Sequence, residues 1–479
     1  MSAAAALVVS AALTGCGSTT YFAGRTLPPS GLTHRVLIAI QNPSSATSGS
    51  LQFVDANYDI RYKYNSTSTG AQFFISSYSG KLPSSIQNMP DEQVGAVYNS
   101  SGGTLSLINY AKETASGSVT FSGTSSSSAF VTRSEGFAFA AQTGVLTVVN
   151  RTAGTSYALS APDPLYRVSV NSGGSVALVF ARNSNHVYYP RQLTAAETTN
   201  YSGGSSTWPM GAVDCEPQSA PGWCLFQALD PSKSTKANPV PLTFDQPVKA
   251  VFSADGGTAY VLNCGPECGG TKASITSLPV APLIFTLGQQ SGTLPTQATL
   301  DTNTLAIPGG ASNALVDSST LYVVGQQLMP DKLWGGYLTV VDLATPMTAS
   351  SPVSISDGAP GAVSRMILAD DDTLWIGMTD CINGERASTS QADGCLTMVN
   401  TSTSAATLMP YNGDATGIAA VTGLHKIYTA EGGQVYIYAT GGGSLAAGTA
   451  IDNEYVTVTG TAYDVAYMDG VSDSNNTVY

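Results

Sequence analysis

Val248-Lys249-Ala250-Val251-Phe252-Ser253-Ala254-Asp255-Gly256-Gly257-Thr258-Ala259-Tyr260-Val261-Leu262 reads as a strand, a turn and a second strand. β-Branched and aromatic residues fill both arms, as a pleated, half-buried surface requires. The Asp255-Gly256 pair favours positive φ and so a tight hairpin between them. The same phrase recurs. Val363 to Met378 repeats it with Asp370-Asp371-Asp372 at the turn, and Ser312 to Gly325 repeats it around Asp317-Ser318-Ser319. Looser copies run over Tyr166 to Phe180, Ala129 to Ala141 and Gly417 to Ala430.

A third strand entered from glycine follows many copies, as in Gly144-Val145-Leu146-Thr147-Val148-Val149-Asn150 and Gly336-Tyr337-Leu338-Thr339-Val340-Val341-Asp342. A short fourth strand then leads into the next copy. Four strands per unit, repeated around a closed ring, is the propeller architecture. Second strands begin near Val36, Val94, Phe137, Ser175, Thr258, Leu321, Thr373 and Lys426, which favours eight blades, with seven as the alternative. The copy over Asp55 to Asn99 is the hardest to count. The starts average about 56 residues apart, above the ~40–50 of such repeats, with the excess between Ser175 and Thr258. The first copy begins directly at its second strand, Arg35 to Ala39, and the missing inner strand reads at the far end, Ala462 to Met468. Strands from both termini would therefore close the ring and remove an exposed edge. The expected all-β propeller spans 33–470, with an insertion at about 189–242 and a tail at 471–479.

The strand, Asp-Gly, Tyr-Val, Gly-Thr-Leu-x-Val-Val-Asp phrasing over roughly Thr33 to Gly470 resembles the bacterial YncE-like and lactonase-like propellers. That resemblance implies a fold more than a function, because propellers host unrelated activities. A lactonase-like hydrolase using channel residues is one activity it would allow. Family lactonases rely on acidic and His residues in the channel, whereas the positions that align here are mainly basic or neutral.

At the other end of the chain, Leu13-Thr14-Gly15-Cys16 closes a run of small and apolar residues from Ala3. It resembles the lipobox of bacterial lipoproteins. The resemblance implies a signal peptide over 1–15, a lipid on Cys16 and a linker over 16–32, so that the protein is tethered to a membrane. An ordinary cleaved signal is the alternative. Gly17 and Ser18 lack the Asp that retains family members at the inner membrane, which implies the outer one. The run is shorter than the about 20 residues that span a bilayer.

Composition narrows the partners. The 479 residues carry 19 Lys plus Arg against 32 Asp plus Glu, a net charge of -13, which excludes a nucleic-acid backbone as partner. Beyond Cys16, six cysteines remain as three near neighbours: Cys215 with Cys224, Cys264 with Cys268, and Cys381 with Cys395. An even count fits disulfides in an oxidising compartment. The rival reading, a metal on Cys264-Gly-Pro-Glu-Cys268, lacks nearby histidine, and structural zinc needs four ligands. No metal or other cofactor is expected.

Motifs for catalysis are scarce. His34, His186 and His425 lie near strand starts in different copies and read as surface or strand-end residues. Asp370-Asp371-Asp372 offers hard oxygens for calcium, but it also occupies the turn register, where Asp caps backbone N–H groups. Alignment of the copies on their turns is more informative. Arg167, Lys249 and Arg365 fall at one inner-strand position, with Ser128, Asn313 and Asp464 in the same register; Ile418 breaks the series. Three of 19 cations at one ring position would focus a positive potential and attract a small anionic ligand or an acidic partner side chain. The insertion is a second candidate, because Trp208 and Trp223 on a cysteine-stapled loop suit contact with a protein or saccharide. The leading expectation is a non-enzymatic envelope lipoprotein that binds a ligand or partner; a purely structural envelope protein is a further alternative.

Overall fold

The computed structural model describes residues 24–42, 49–61, 73–121, 128–133, 136–216, 222–381, 394–440 and 451–470. The candidate lipidation site Cys16 and the 471–479 tail lie outside them. The described chain forms eight antiparallel sheets arranged as the blades of a propeller. Blade 1 is closed by both termini: Thr461–Tyr467 forms its inner strand against Arg35–Gln41, which pairs outward with Gly49–Asp55. The other seven inner strands are Pro83–Met89, Ser128–Val131, Leu165–Val170, Pro247–Phe252, Asn313–Asp317, Val363–Leu368 and Ala415–Val421, in blades 2 to 8.

Period-two alternation explains why the blades stack. Successive residues of a strand point to opposite faces. In blade 5, Ala259 and Val261 enter the apolar cluster shared with blade 4, while Tyr260 and Leu262 enter the one shared with blade 6. The core is accordingly divided into eight clusters, one in each interface between neighbouring blades.

The turns behave as their residues dictate. Gly256 takes φ +68°, and Asp255 Oδ1 accepts from Ser253 Oγ at 2.5 Å and Gly257 N at 2.9 Å. In blade 7, Asp372 is left-handed, Asp371 accepts from Thr373 Oγ1 and Asp370 accepts from Gly423 N at 2.7 Å. All three carboxylates of that run thus sit in a turn or bridge to the next blade.

The ring closure buries a network of charges. The Arg35 side chain is fully buried and donates to both oxygens of Asp469, at 3.0 and 2.6 Å, to Glu113 at 2.8 Å and to the Tyr110 carbonyl at 2.8 Å. Burial alone would lower its pKa; the bonds and charges of Asp469 and Glu113 outweigh that and raise it.

The insertion builds a blade edge. Val187–Gln192 pairs with Trp223–Gln227, which pairs in turn with Ala212–Glu216, so the segment supplies the two outer strands of blade 4. Helix Ala195–Tyr201 begins at a capping box formed by Thr194 and Glu197. The expectation that both tryptophans face a partner is corrected here. Trp223 is 0% exposed and packs among Phe137, Phe139, Tyr157 and Phe285 between blades 3 and 4. Trp208 lies partly buried against the cluster between blades 4 and 5. The cysteines pair as Cys215–Cys224, Cys264–Cys268 and Cys381–Cys395.

Candidate functional site: a cationic ring in the central channel

Inner strands meet their neighbours around the axis without a continuous backbone ladder, so side chains stitch the seams. Asp464 of blade 1 accepts from Ile86 N of blade 2 at 2.7 Å. Gln87 exchanges two bonds with Val131 of blade 3, at 2.7 and 2.8 Å. Ser128 Oγ accepts from Val168 N of blade 4, and Ser169 Oγ from Ala250 N of blade 5, each at 3.2 Å. Ser364 donates to the Ala415 carbonyl of blade 8. Much of the channel's polarity therefore satisfies backbone groups that would otherwise be orphaned.

A bulge places the cations. In blades 1, 2, 4, 5, 7 and 8 the register slips by one residue near the start of the inner strand. Such bulges re-aim the side chain that follows. Arg167, Lys249 and Arg365 come directly after the slip, opposite Phe180, Leu262 and Gly377. Ser128 opposes Ala141 and Asn313 opposes Val324 at the matching level of blades 3 and 6. In blade 8 the residue at this level is Gly417, opposite Ala430, and not Ile418. Counting back from the turn stopped one residue short, because the turn between Val421 and Lys426 carries no Asp-Gly pair to fix the count. The glycine is required: a Cβ there would come within 2.5 Å of Asp464 Oδ1 and 2.7 Å of its Cα. The space left at Gly417 lets Asp464 reach across blade 8 to an ion pair with Arg365 of blade 7.

These residues surround a cavity of roughly 510 Å³ that runs along the inner strands from Arg167 toward Ser172 and Ala254. Ser85, Ser128, Arg167, Lys249, Asn313 and Arg365 all line it. A second cavity of about 500 Å³ opens at the strand-start end, where Arg167 is joined by Arg182 and Glu267. Arg167 stands between the two spaces and Tyr166 beside it; the Tyr166 ring lies 5.6 Å from the Arg167 guanidinium and 5.4 Å from that of Arg182. Glu267 caps Gln326 N and Gly361 N, both at 2.9 Å, and burial raises its pKa.

The ring's charges are unequal in their partners. Arg365 is paired with Asp464, whose pKa burial raises against the pull of Arg365. Lys249 Nζ donates to Asn313 Oδ1 at 2.8 Å, a neutral acceptor. Burial in the channel wall, then repulsion from Arg167 and Arg365, lowers the Lys249 pKa to about 7. Among the described residues, Arg167 has no carboxylate partner; its guanidinium lies against the Tyr166 ring. The site is therefore three cations around one committed carboxylate.

Sequence reading placed the three cations but missed Ser85, Gln87 and Ser169. The blade 2 turn, Pro90–Glu92 with left-handed Gln93, lacks an Asp-Gly signal on which to align. The histidines stay out of the channel lining. His186 Nδ1 meets Asp163 at 2.9 Å, where Ser184 and Tyr188 also donate. His425 lies 3.7 Å from Asp370, and His34 stacks near Tyr467, its pKa lowered by burial.

No family model matches the chain, and no curated protein matches it. Solved propellers do. A periplasmic gluconolactonase of Pseudomonas aeruginosa is 11% identical, with 91% of this chain and 98% of that chain covered and a TM-score of 0.47. A putative 6-phosphogluconolactonase of Bacteroides fragilis is 10% identical, covering 91% and 97%, at 0.46. Hydrazine synthase of Kuenenia stuttgartiensis is 12% identical, covering 77% and 99%, at 0.45. Similarity at this level is one of architecture and assigns no activity.

Proposed function

We propose that this protein is an extracytoplasmic, membrane-tethered propeller that binds a small organic anion in its central channel. The observation that carries the reading is the uncompensated pair Arg167 and Lys249 facing a cavity of roughly 510 Å³. Grouped charge of one sign inside a low-dielectric wall is costly unless something of the opposite sign relieves it. An arginine with a free planar fork suits a carboxylate or phosphate. Three disulfides support an oxidising compartment, and the lipobox resemblance around Cys16 supports the tether. Hydrolysis draws less support, since Asp464 is committed to Arg365 and to two backbone N–H groups.

The test is a thermal-shift and calorimetric screen of carboxylates, sugar acids and phosphates at low salt. A saturating anion at about 100 times its Kd should stabilise the fold by about 2.7 kcal/mol. Arg167→Ala and Lys249→Met should each remove most of that shift. Equal shifts in wild type and both variants would place the anion elsewhere. Loss of membrane association in Cys16→Ser would test the tether.

A further inference from the structure

Lys249 is set apart from the other two cations by the company it keeps. A lysine held within a protein ordinarily rests on a carboxylate. Here Nζ is held at 2.8 Å by the side-chain carbonyl of Asn313, which leaves the nitrogen oriented but not neutralised. Arg167 flanks it from blade 4 and Arg365 from blade 7, and the same cavity touches all four side chains. Burial in the channel wall and then the two guanidiniums disfavour its ammonium form, and the fork of Arg167 remains open to a ligand carboxylate. Amines placed beside other cations in this way serve as nucleophiles toward carbonyl compounds.

We propose that Lys249 captures a small oxo-carboxylate as a covalent imine, with the carboxylate of the ligand on Arg167. The inference rests on the anion-binding reading and specifies its ligand as an acid that also carries an aldehyde or ketone. The lone pair of neutral Nζ attacks the carbonyl carbon. A C–N bond forms, the C=O π pair moves to oxygen, and a proton passes from nitrogen to that oxygen. The carbinolamine then expels its hydroxyl as water while the nitrogen gives up its second proton and C=N forms. Amine and carbonyl become imine and water, with no oxidant or reductant consumed. Water reverses the step, so the ligand is held reversibly. Asn313 steers the amine and leaves it free to react.

Full-length protein incubated with glyoxylate or pyruvate and reduced with cyanoborohydride should carry a stable adduct on Lys249. Labelling there should exceed that of exposed lysines such as Lys233 and Lys332 by roughly tenfold. Propionate, an anion without the carbonyl, should protect Lys249 from labelling. Arg167→Ala should cut labelling by pyruvate roughly tenfold more than labelling by neutral propionaldehyde, which loses only what the rise in the Lys249 pKa removes. Lys249→Arg, which keeps the charge, should bind propionate and trap nothing. Saturable propionate binding without a trapped adduct on Lys249 overturns the imine and leaves the anion reading standing. Adducts spread evenly over surface lysines overturn it as well. Absence of both propionate binding and trapping overturns the two together. Trapping of pyruvate and propionaldehyde with equal efficiency, indifferent to Arg167, overturns the assignment of the carboxylate.

Discussion

Two charge clusters among the described residues, one fully buried at the ring closure and one half-buried in the channel, are built on opposite plans. At the ring closure, Arg35 faces two carboxylates and a backbone carbonyl, so each guanidinium nitrogen has an acceptor. In the channel, Arg167, Lys249 and Arg365 share one carboxylate, and that one is taken by Arg365. The first arrangement is complete without anything from outside, and its removal is costly because the partners stay behind. The second is incomplete, and what it lacks is negative charge.

The largest effect expected from this contrast is at the closure. Arg35→Met would remove the buried guanidinium that Asp469 and Glu113 share where the two ends of the ring meet. A loss of about 3–5 kcal/mol in urea unfolding is expected. A loss below about 1 kcal/mol would mean that the apolar cluster between blades 8 and 1 closes the ring unaided. Arg365→Met ranks next. It strands Asp464, which is almost fully buried, and should cost about 3 kcal/mol. Adding Asp464→Asn keeps an acceptor for Ile86 N and removes the stranded charge, so the double variant should recover much of the loss. Simple additivity of the two losses would show that the pair is not coupled across blade 8.

How much of this was legible beforehand depends on the kind of interaction. Hairpins and blades were legible because they follow from local periodicity: Tyr260 and Leu262 must face one neighbour if Ala259 and Val261 face the other. The three cations were legible because each stands a fixed distance from a turn. What the turn count could not fix is blade 8, where the turn between Val421 and Lys426 has no Asp-Gly pair and strand pairing puts Gly417, not Ile418, at the ring position. Contacts between distant segments were equally hidden. Trp223 reads as an exposed loop aromatic until Phe285 packs on it from the segment that follows the third strand of blade 5. Phe285 also bonds into blade 4 through Ser175 and Gln192. The Arg365–Asp464 pair depends on a glycine in a third blade, a condition no single copy of the repeat contains.

The smallest effect is the most diagnostic, because its sign is reversed between the two clusters. Removing a positive charge from the closure destabilises, whereas Lys249→Met removes a charge that Arg167 and Arg365 repel, and should leave stability unchanged or slightly raised. The pH dependence follows from linkage. Lys249 is held near 7 when folded and returns to its ordinary value of 10.5 when unfolded. Between those values the unfolded chain binds a proton that the folded chain does not, so this group makes stability rise with pH through that window. Below pH 7 its cost is full and constant. The difference in Tm between wild type and Lys249→Met should therefore shift in favour of wild type from pH 7 to pH 10. The groups that face Lys249 from blades 4, 6 and 7 are Arg167, Asn313 and Arg365. Anion affinity should move the other way, falling as pH rises from 6 to 8, since the ammonium is the form that attracts. Bound anion raises the Lys249 pKa, so binding near pH 7 takes up a proton, measurable as a dependence of the calorimetric heat on buffer ionisation. Parallel melting curves and buffer-independent heats would together mean that Lys249 is an ordinary ammonium, and the channel would lose its claim to differ from the closure.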